Sequence, residues 1–115
     1  MAVRVSAMLV RAIFVINLIL GILFWTDHAD SLKIVHILLG IVFVASLWLI
    51  GVLQALKGGS IGLTLGTFIM GLILAIVGLF QSDTLIIQII HVLLAVLALG
   101  LAEMSAARYR KLAAA

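Results

Sequence analysis

Two of the chain's three histidines lie inside long apolar runs: Ile34-Val35-His36-Ile37-Leu38-Leu39-Gly40 and Ile90-His91-Val92-Leu93-Leu94-Ala95. Imidazole can ligate a metal, carry a proton or hydrogen-bond across helices. It is costly to embed in a hydrophobic stretch without one of these uses. The third histidine, His28, sits among polar residues and reads as a solvated loop residue. There are no cysteines, so disulfides, thiolate metal sites and Cys nucleophiles are excluded. No Gly-rich phosphate loop, Ser-His-Asp set or carboxylate pair is present; Gly58-Gly59 reads as a turn.

The elements that must position these histidines follow from composition. Of 115 residues, 67% are hydrophobic and 10% charged, with a mean hydropathy of +1.50. A soluble domain averages about 45–50% apolar and about 25% charged. A water-soluble fold of this length cannot bury so much apolar surface. An ordinary soluble enzyme, a disordered chain and a nucleic-acid binder are therefore excluded, and the net charge of +3 is read as topological. Four segments reach the roughly 20 apolar residues that span a bilayer: about 5–25, 32–56, 61–80 and 85–104, forming one domain over 1–115. The fourth has a helical continuation toward Arg110. Short connections predict an all-α, up-down-up-down four-helix transmembrane bundle. The spacing predicts Asp30 or Ser31 as cap of the second helix and Ser82 or Asp83 as cap of the fourth. The first span lacks a small-x-small cleavage site and reads as a span rather than a leader.

Arg4, Arg11, Lys57, Arg108, Arg110 and Lys111 fall on one face of this topology, and Asp27, Asp30, Asp83 and Lys33 on the other. The positive-inside rule then places both termini in the cytoplasm of a multi-pass cell (plasma) membrane protein.

The hairpins repeat. An offset of 54 puts Phe14 on Phe68, Leu18 on Leu72 and Ile22 on Ile76; an offset of 55 puts His36 on His91 and Leu39 on Leu94. Two duplicated helical hairpins, related by a pseudo-two-fold along the membrane normal, are implied. His36 and His91 then lie roughly 9 Å and roughly 12 Å into their helices, at similar depth in the outer half. In a square bundle the second and fourth helices are diagonal, with axes roughly 14 Å apart. That predicts no direct contact between the imidazoles and suits a flat group between them. Zinc is disfavoured because too few ligands converge.

A planar metal macrocycle meets these conditions, and one haem b per chain with His36 and His91 as axial ligands is the expected cofactor. Gly40 and Ala95, four residues after each His, clear space beneath; Ala98 and Ala102 continue that stripe, and Phe43 offers an edge to the ring. Lys33 and Gln88, three residues before each His, are placed to meet the propionates. Another tetrapyrrole remains open, as does a cofactor-free reading in which both histidines are interhelical hydrogen bonders. Among other polar residues, Asn17 reads as an interhelical hydrogen bonder. Glu103 reads as a neighbour of Arg108, with a proton relay as the sharper alternative. Trp25 and Trp48 read as interfacial anchors, and Trp48 also as a lining residue below the cofactor.

With these residues quoted, the chain resembles a small membrane b-type cytochrome and is similar to one four-helix half of haem A synthase. Each half of that family carries a His on its second helix and another on its fourth. The resemblance implies haem ligation by His36 and His91. Lys33 stands where the family has a Glu and Ile37 where it has an Arg, and the second half and its loop cysteines are missing. These departures argue against haem A synthesis. The expected function is one-electron transfer, with a quinone or redox protein as partner besides the lipid bilayer. A cofactor-free subunit, scaffold or transporter and a haem- or pigment-handling protein are the alternatives.

Overall fold

In hydrocarbon every backbone N–H and C=O must find a partner within its own segment. A chain without proline meets that demand with unbroken helices. The computed structural model describes residues 1–25, 30–80 and 84–114. It has four long helices: α1 (Ala2–Trp25), α2 (Lys33–Leu56), α3 (Ile61–Leu79) and α4 (Leu85–Ala114). All four are long and apolar enough to cross a membrane, so the chain is read as a multi-pass membrane protein. Their outward faces carry exposed Ile16, Ile19, Leu72, Ile73, Leu93 and Leu97. That is the reverse of a water-soluble bundle, whose outer faces are polar. The fourth helix runs ten residues past the 104 boundary expected from the sequence. With 30 residues it is about 45 Å long, longer than the hydrocarbon core.

The helices pack α1 on α2, α2 on α3, α3 on α4 and α1 on α4, and in addition α2 packs directly on α4. α1 and α3 lie on the two outer flanks. The cross-section is therefore a rhombus rather than the square that the sequence suggests. Small side chains cause it: Ala98, Ala102 and Ala106, one turn apart on α4, are fully or almost fully buried beside Phe43, Leu47 and Ile50 of α2. With only methyl groups on the α4 side of the seam, the two helices approach closely.

The two ends of the bundle are packed differently. Val3, Val10, Leu47, Ile50, Ala102 and Ala106 form a continuous core toward the end that holds the α2–α3 turn. That turn is tied by Gln54, whose side chain is fully buried. Its Nε2 donates to Ser60 O (2.6 Å) and to Thr64 Oγ1 (2.9 Å), and its Oε1 accepts from Ser60 N at 2.9 Å. Ser60 caps α3 by accepting from Leu63 N at 3.1 Å. Gly58 takes φ of +88°, a left-handed conformation that favours glycine. The start of α2 differs from expectation. A single 3₁₀ turn, Asp30–Leu32, leads into it, and Leu32 occupies the N-cap without a side-chain bond, so neither Asp30 nor Ser31 caps it. Ser82 and Asp83 lie outside the described residues, as do Asp27 and His28.

Candidate functional site: two imidazoles between α2 and α4

His36 is in the first turn and a half of α2 and His91 in the second turn of α4. Both are half-buried, and their ring centres lie 6.2 Å apart with planes inclined by 53°. The sequence predicts that diagonal helices hold them out of contact. The direct packing of α2 on α4 overturns that and brings the rings together, tilted to each other, across the bundle.

Each imidazole is gripped by a neighbouring helix. Phe24, near the end of α1, meets the His36 ring edge-on, with centroids 5.4 Å apart and planes at 80°. Asn17 of α1 donates from Nδ2 to the His36 backbone carbonyl at 3.2 Å. This is the interhelical bond expected of Asn17, and it pins α1 to α2 at this level. On the other flank His91 packs against Gly78 of α3. A Cβ built on Gly78 would stand 2.8 Å from His91 Cε1, closer than real carbon contacts allow. Phe24 and Gly78 are 54 residues apart, the offset that aligns the first helix with the third. Corresponding positions thus present an aromatic edge to one imidazole and bare backbone to the other.

The electrostatic state of the pair is defined by what is missing around it. Nδ1 of His36 and Nδ1 of His91 are buried and make no hydrogen bond. A buried polar atom without a partner costs about 1–3 kcal/mol and calls for an explanation. Asn17 Oδ1, at the same level, is in the same condition. Among the described residues, no three His, Cys, Asp or Glu side chains come together as a metal cage. Two imidazole nitrogens can ligate a metal only if the remaining coordination positions come from another molecule.

The other residues singled out by the sequence are spread along the bundle. Gly40 backs onto α1, where a Cβ would stand 3.9 Å from Asn17 Nδ2. Ala95 is half-buried against the core, whereas Phe43 and Ala98, two turns past His36 and His91, are core residues at 4% and 0% exposure. Lys33 is exposed and Gln88 half-buried, one turn from the imidazoles toward the helix ends, and each has an interaction partner. Trp48 is engaged between α2 and α3. Its Nε1 donates to Thr67 O at 3.1 Å and its ring stacks on Phe68 at 5.0 Å, locking α2 to α3. Glu103 does not pair with Arg108. Five residues along a helix turn the side chain about 140° away, and Glu103 instead receives a two-pronged contact from Arg11 of α1, with Nη2 to Oε2 at 2.8 Å. Phe24 and Gly78 are the contacts that sequence reasoning missed. Neither type signals chemistry, and the repeat offset hides them because the two residues differ.

No family profile, curated protein or solved structure matches the chain.

Proposed function

We propose that this chain is a haem b-binding membrane protein that carries single electrons, with His36 and His91 as the two axial ligands of one haem. The observation that carries this reading is the pair itself: two imidazoles from different helices, ring centres 6.2 Å apart, each with a buried and unpartnered nitrogen. Metal–imidazole bonds are about 2 Å long, so two rings ligating one metal in line have centres about 6 Å apart. The absence of a third protein ligand among the described residues favours a macrocycle over a bare ion, because the macrocycle brings its own equatorial donors. A haem so held supplies a one-electron iron couple with no open coordination position.

The protein's own residues do the rest. α2 and α4 present the imidazoles, Asn17 fixes the His36 backbone, and Phe24 and Gly78 set each ring against its flank. Gly40, Phe43, Ala95 and Ala98 shape the wall toward the core, and Lys33 with Gln88 provides polar groups for the propionates one turn outward. Around this site we place an up-down-up-down bundle of two duplicated hairpins in the cell membrane, both termini cytoplasmic, with a quinone or redox protein as exchange partner. The likeness to a small b-type cytochrome supports the same reading.

The test is the absorption spectrum of the purified protein, ferric and dithionite-reduced. The wild type should show a Soret band and sharp low-spin bands. His36→Ala or His91→Ala should convert them to a high-spin spectrum or abolish them, and His28→Ala should not. A colourless wild type after expression with ample haem would overturn the cofactor, leaving a cofactor-free subunit, scaffold or transporter. Low-spin bands surviving both single changes would overturn the ligand assignment. Cysteines placed at Ser60 and Ser31 should label from opposite sides of a sealed vesicle, with Ser60 cytoplasmic.

A further inference from the structure

At the end of the bundle remote from the imidazoles, α1 and α4 part to form a cleft of about 660 Å³. Arg4, Arg11, Tyr109 and Arg110 line it, together with Val3 and Met8. Among the described residues Glu103 is the one acidic side chain at this end. Glu103 is engaged by Arg11 through two guanidinium nitrogens. Among the described residues the cleft thus sets three guanidinium groups, Arg4, Arg11 and Arg110, against one carboxylate, whose charge Arg110 also feels at longer range. Arg4 and Arg110 are exposed, while Tyr109 is half-buried against the core.

The depth of the cleft says what kind of anion it meets. From Trp25 back to Arg11 is 14 residues of α1, and from Leu85 to Glu103 is 18 residues of α4. These are about 21 Å and about 27 Å of helix. A hydrocarbon core about 30 Å thick that starts near Trp25 and Leu85 therefore ends past the Arg11–Glu103 pair and close to Arg4, which stands 21 residues, about 31 Å, from Trp25. The outer part of the cleft, with Arg4 and Arg110, lies at headgroup level. Its wall is continuous with apolar Val3 and Met8, and Met8 is 59% exposed on the outer surface of α1. Guanidinium forks and a phenol hydroxyl suit the oxygens of a phosphate, and the apolar wall suits the chain below it.

We propose that this cleft binds the phosphate of an anionic phospholipid, with Arg4 and Arg110 holding the headgroup and Tyr109 donating to it. The site is independent of haem and stands whether or not the imidazoles ligate one. The bound lipid fixes the level of α1 and α4 in the membrane and neutralises a concentration of like charge between them.

The test counts lipids retained by the protein in a neutral detergent, by native mass spectrometry, during titration with phosphatidylglycerol or phosphatidylcholine. Wild type should bind phosphatidylglycerol about 25-fold more tightly. The double variant Arg4→Gln/Arg110→Gln should lose that preference, about fivefold for each guanidinium removed. Lys57→Gln/Arg108→Gln, which removes the same charge from outside the cleft, should keep it. Millimolar inorganic phosphate should leave the bound lipid in place. Equal binding of the two lipids would overturn the proposal, as would an equal loss in the control variant. Displacement by inorganic phosphate would also overturn it, by making the cleft a site for soluble anions.

Discussion

The turn between α2 and α3 and the imidazole pair handle buried polar atoms in opposite ways. At the turn, Gln54 is wholly enclosed, yet both ends of its amide are used: Nε2 donates twice and Oε1 accepts from Ser60 N. Thr64 Oγ1 also donates to Gly51 O at 2.7 Å, and Trp48 spends its one donor on Thr67 O. At the imidazoles, three buried polar atoms within a short stretch, on Asn17, His36 and His91, have no partner. Ser105 Oγ is the remaining case, and it lies mid-helix, where a hydroxyl can turn to its own preceding turn. The apolar packing divides in the same way, since the core lies toward the turn and the imidazoles lie beyond its edge. At the turn, both the oxygen and the nitrogen of the Gln54 amide are in use. The other end leaves Asn17 Oδ1 and the two imidazole Nδ1 atoms buried without a partner.

This contrast can be broken from either side. The largest effect on stability belongs to the turn. Gln54→Leu keeps the volume but strands Ser60 N and removes the bond donated to Thr64 Oγ1, which keeps its own bond to Gly51 O, and should cost about 2 kcal/mol in reversible unfolding from detergent, with the haem spectrum of the folded protein unchanged. A loss of haem without a loss of stability would mean the two ends are not separate. Gly78→Ala is next. Its new methyl would collide with the His91 ring, which must turn or retreat. We expect about tenfold weaker haem retention, worth about 1.4 kcal/mol, with little change in the stability of the haem-free protein. Haem transfer to apomyoglobin measures the first, and thermal unfolding of haem-depleted protein measures the second. The smallest effect belongs to Gly40→Ala, whose methyl meets Asn17 at an ordinary contact distance. Neither haem retention nor the unfolding midpoint should move appreciably. A large loss there would show that the wall beside Gly40 is in direct use.

Much of the frame was legible in the sequence because it depends on hydrophobic run length alone. The four helices fall where the apolar runs are, and the glycine-rich break at Lys57–Ser60 became the turn between α2 and α3. That His36 and His91 share a level was legible from their distances to the helix starts. Their separation was not, because it depends on which helices are diagonal neighbours. Ala98, Ala102 and Ala106 decide that by letting α4 close on α2, and a small-residue stripe fits a close helix as well as a flat ligand. The partner of Glu103 was missed for a related reason. Proximity in sequence suggested Arg108, but helical rotation points that residue elsewhere and Arg11 arrives from 92 residues away. Gln54 gave no signal at all, since a single amide in an apolar run looks like any polar residue near a helix end.

The clamp at Gln54 also sets the order in which the bundle opens. Local opening in a protein follows the density of buried contacts and of internal hydrogen bonds. Stiffness here therefore rises along the long axis of the molecule, from the imidazoles toward the α2–α3 turn. Side-chain-bonded groups such as Ser60 N and Leu63 N should exchange their amide hydrogens among the slowest in the chain, and the first turns of α2 and α4 among the fastest. The consequence is kinetic. On the proposed haem reading, the cofactor should reach the imidazoles through transient spreading of the helix ends that carry them, while the opposite end stays closed. Loading and release should then proceed under conditions far too mild to unfold the protein.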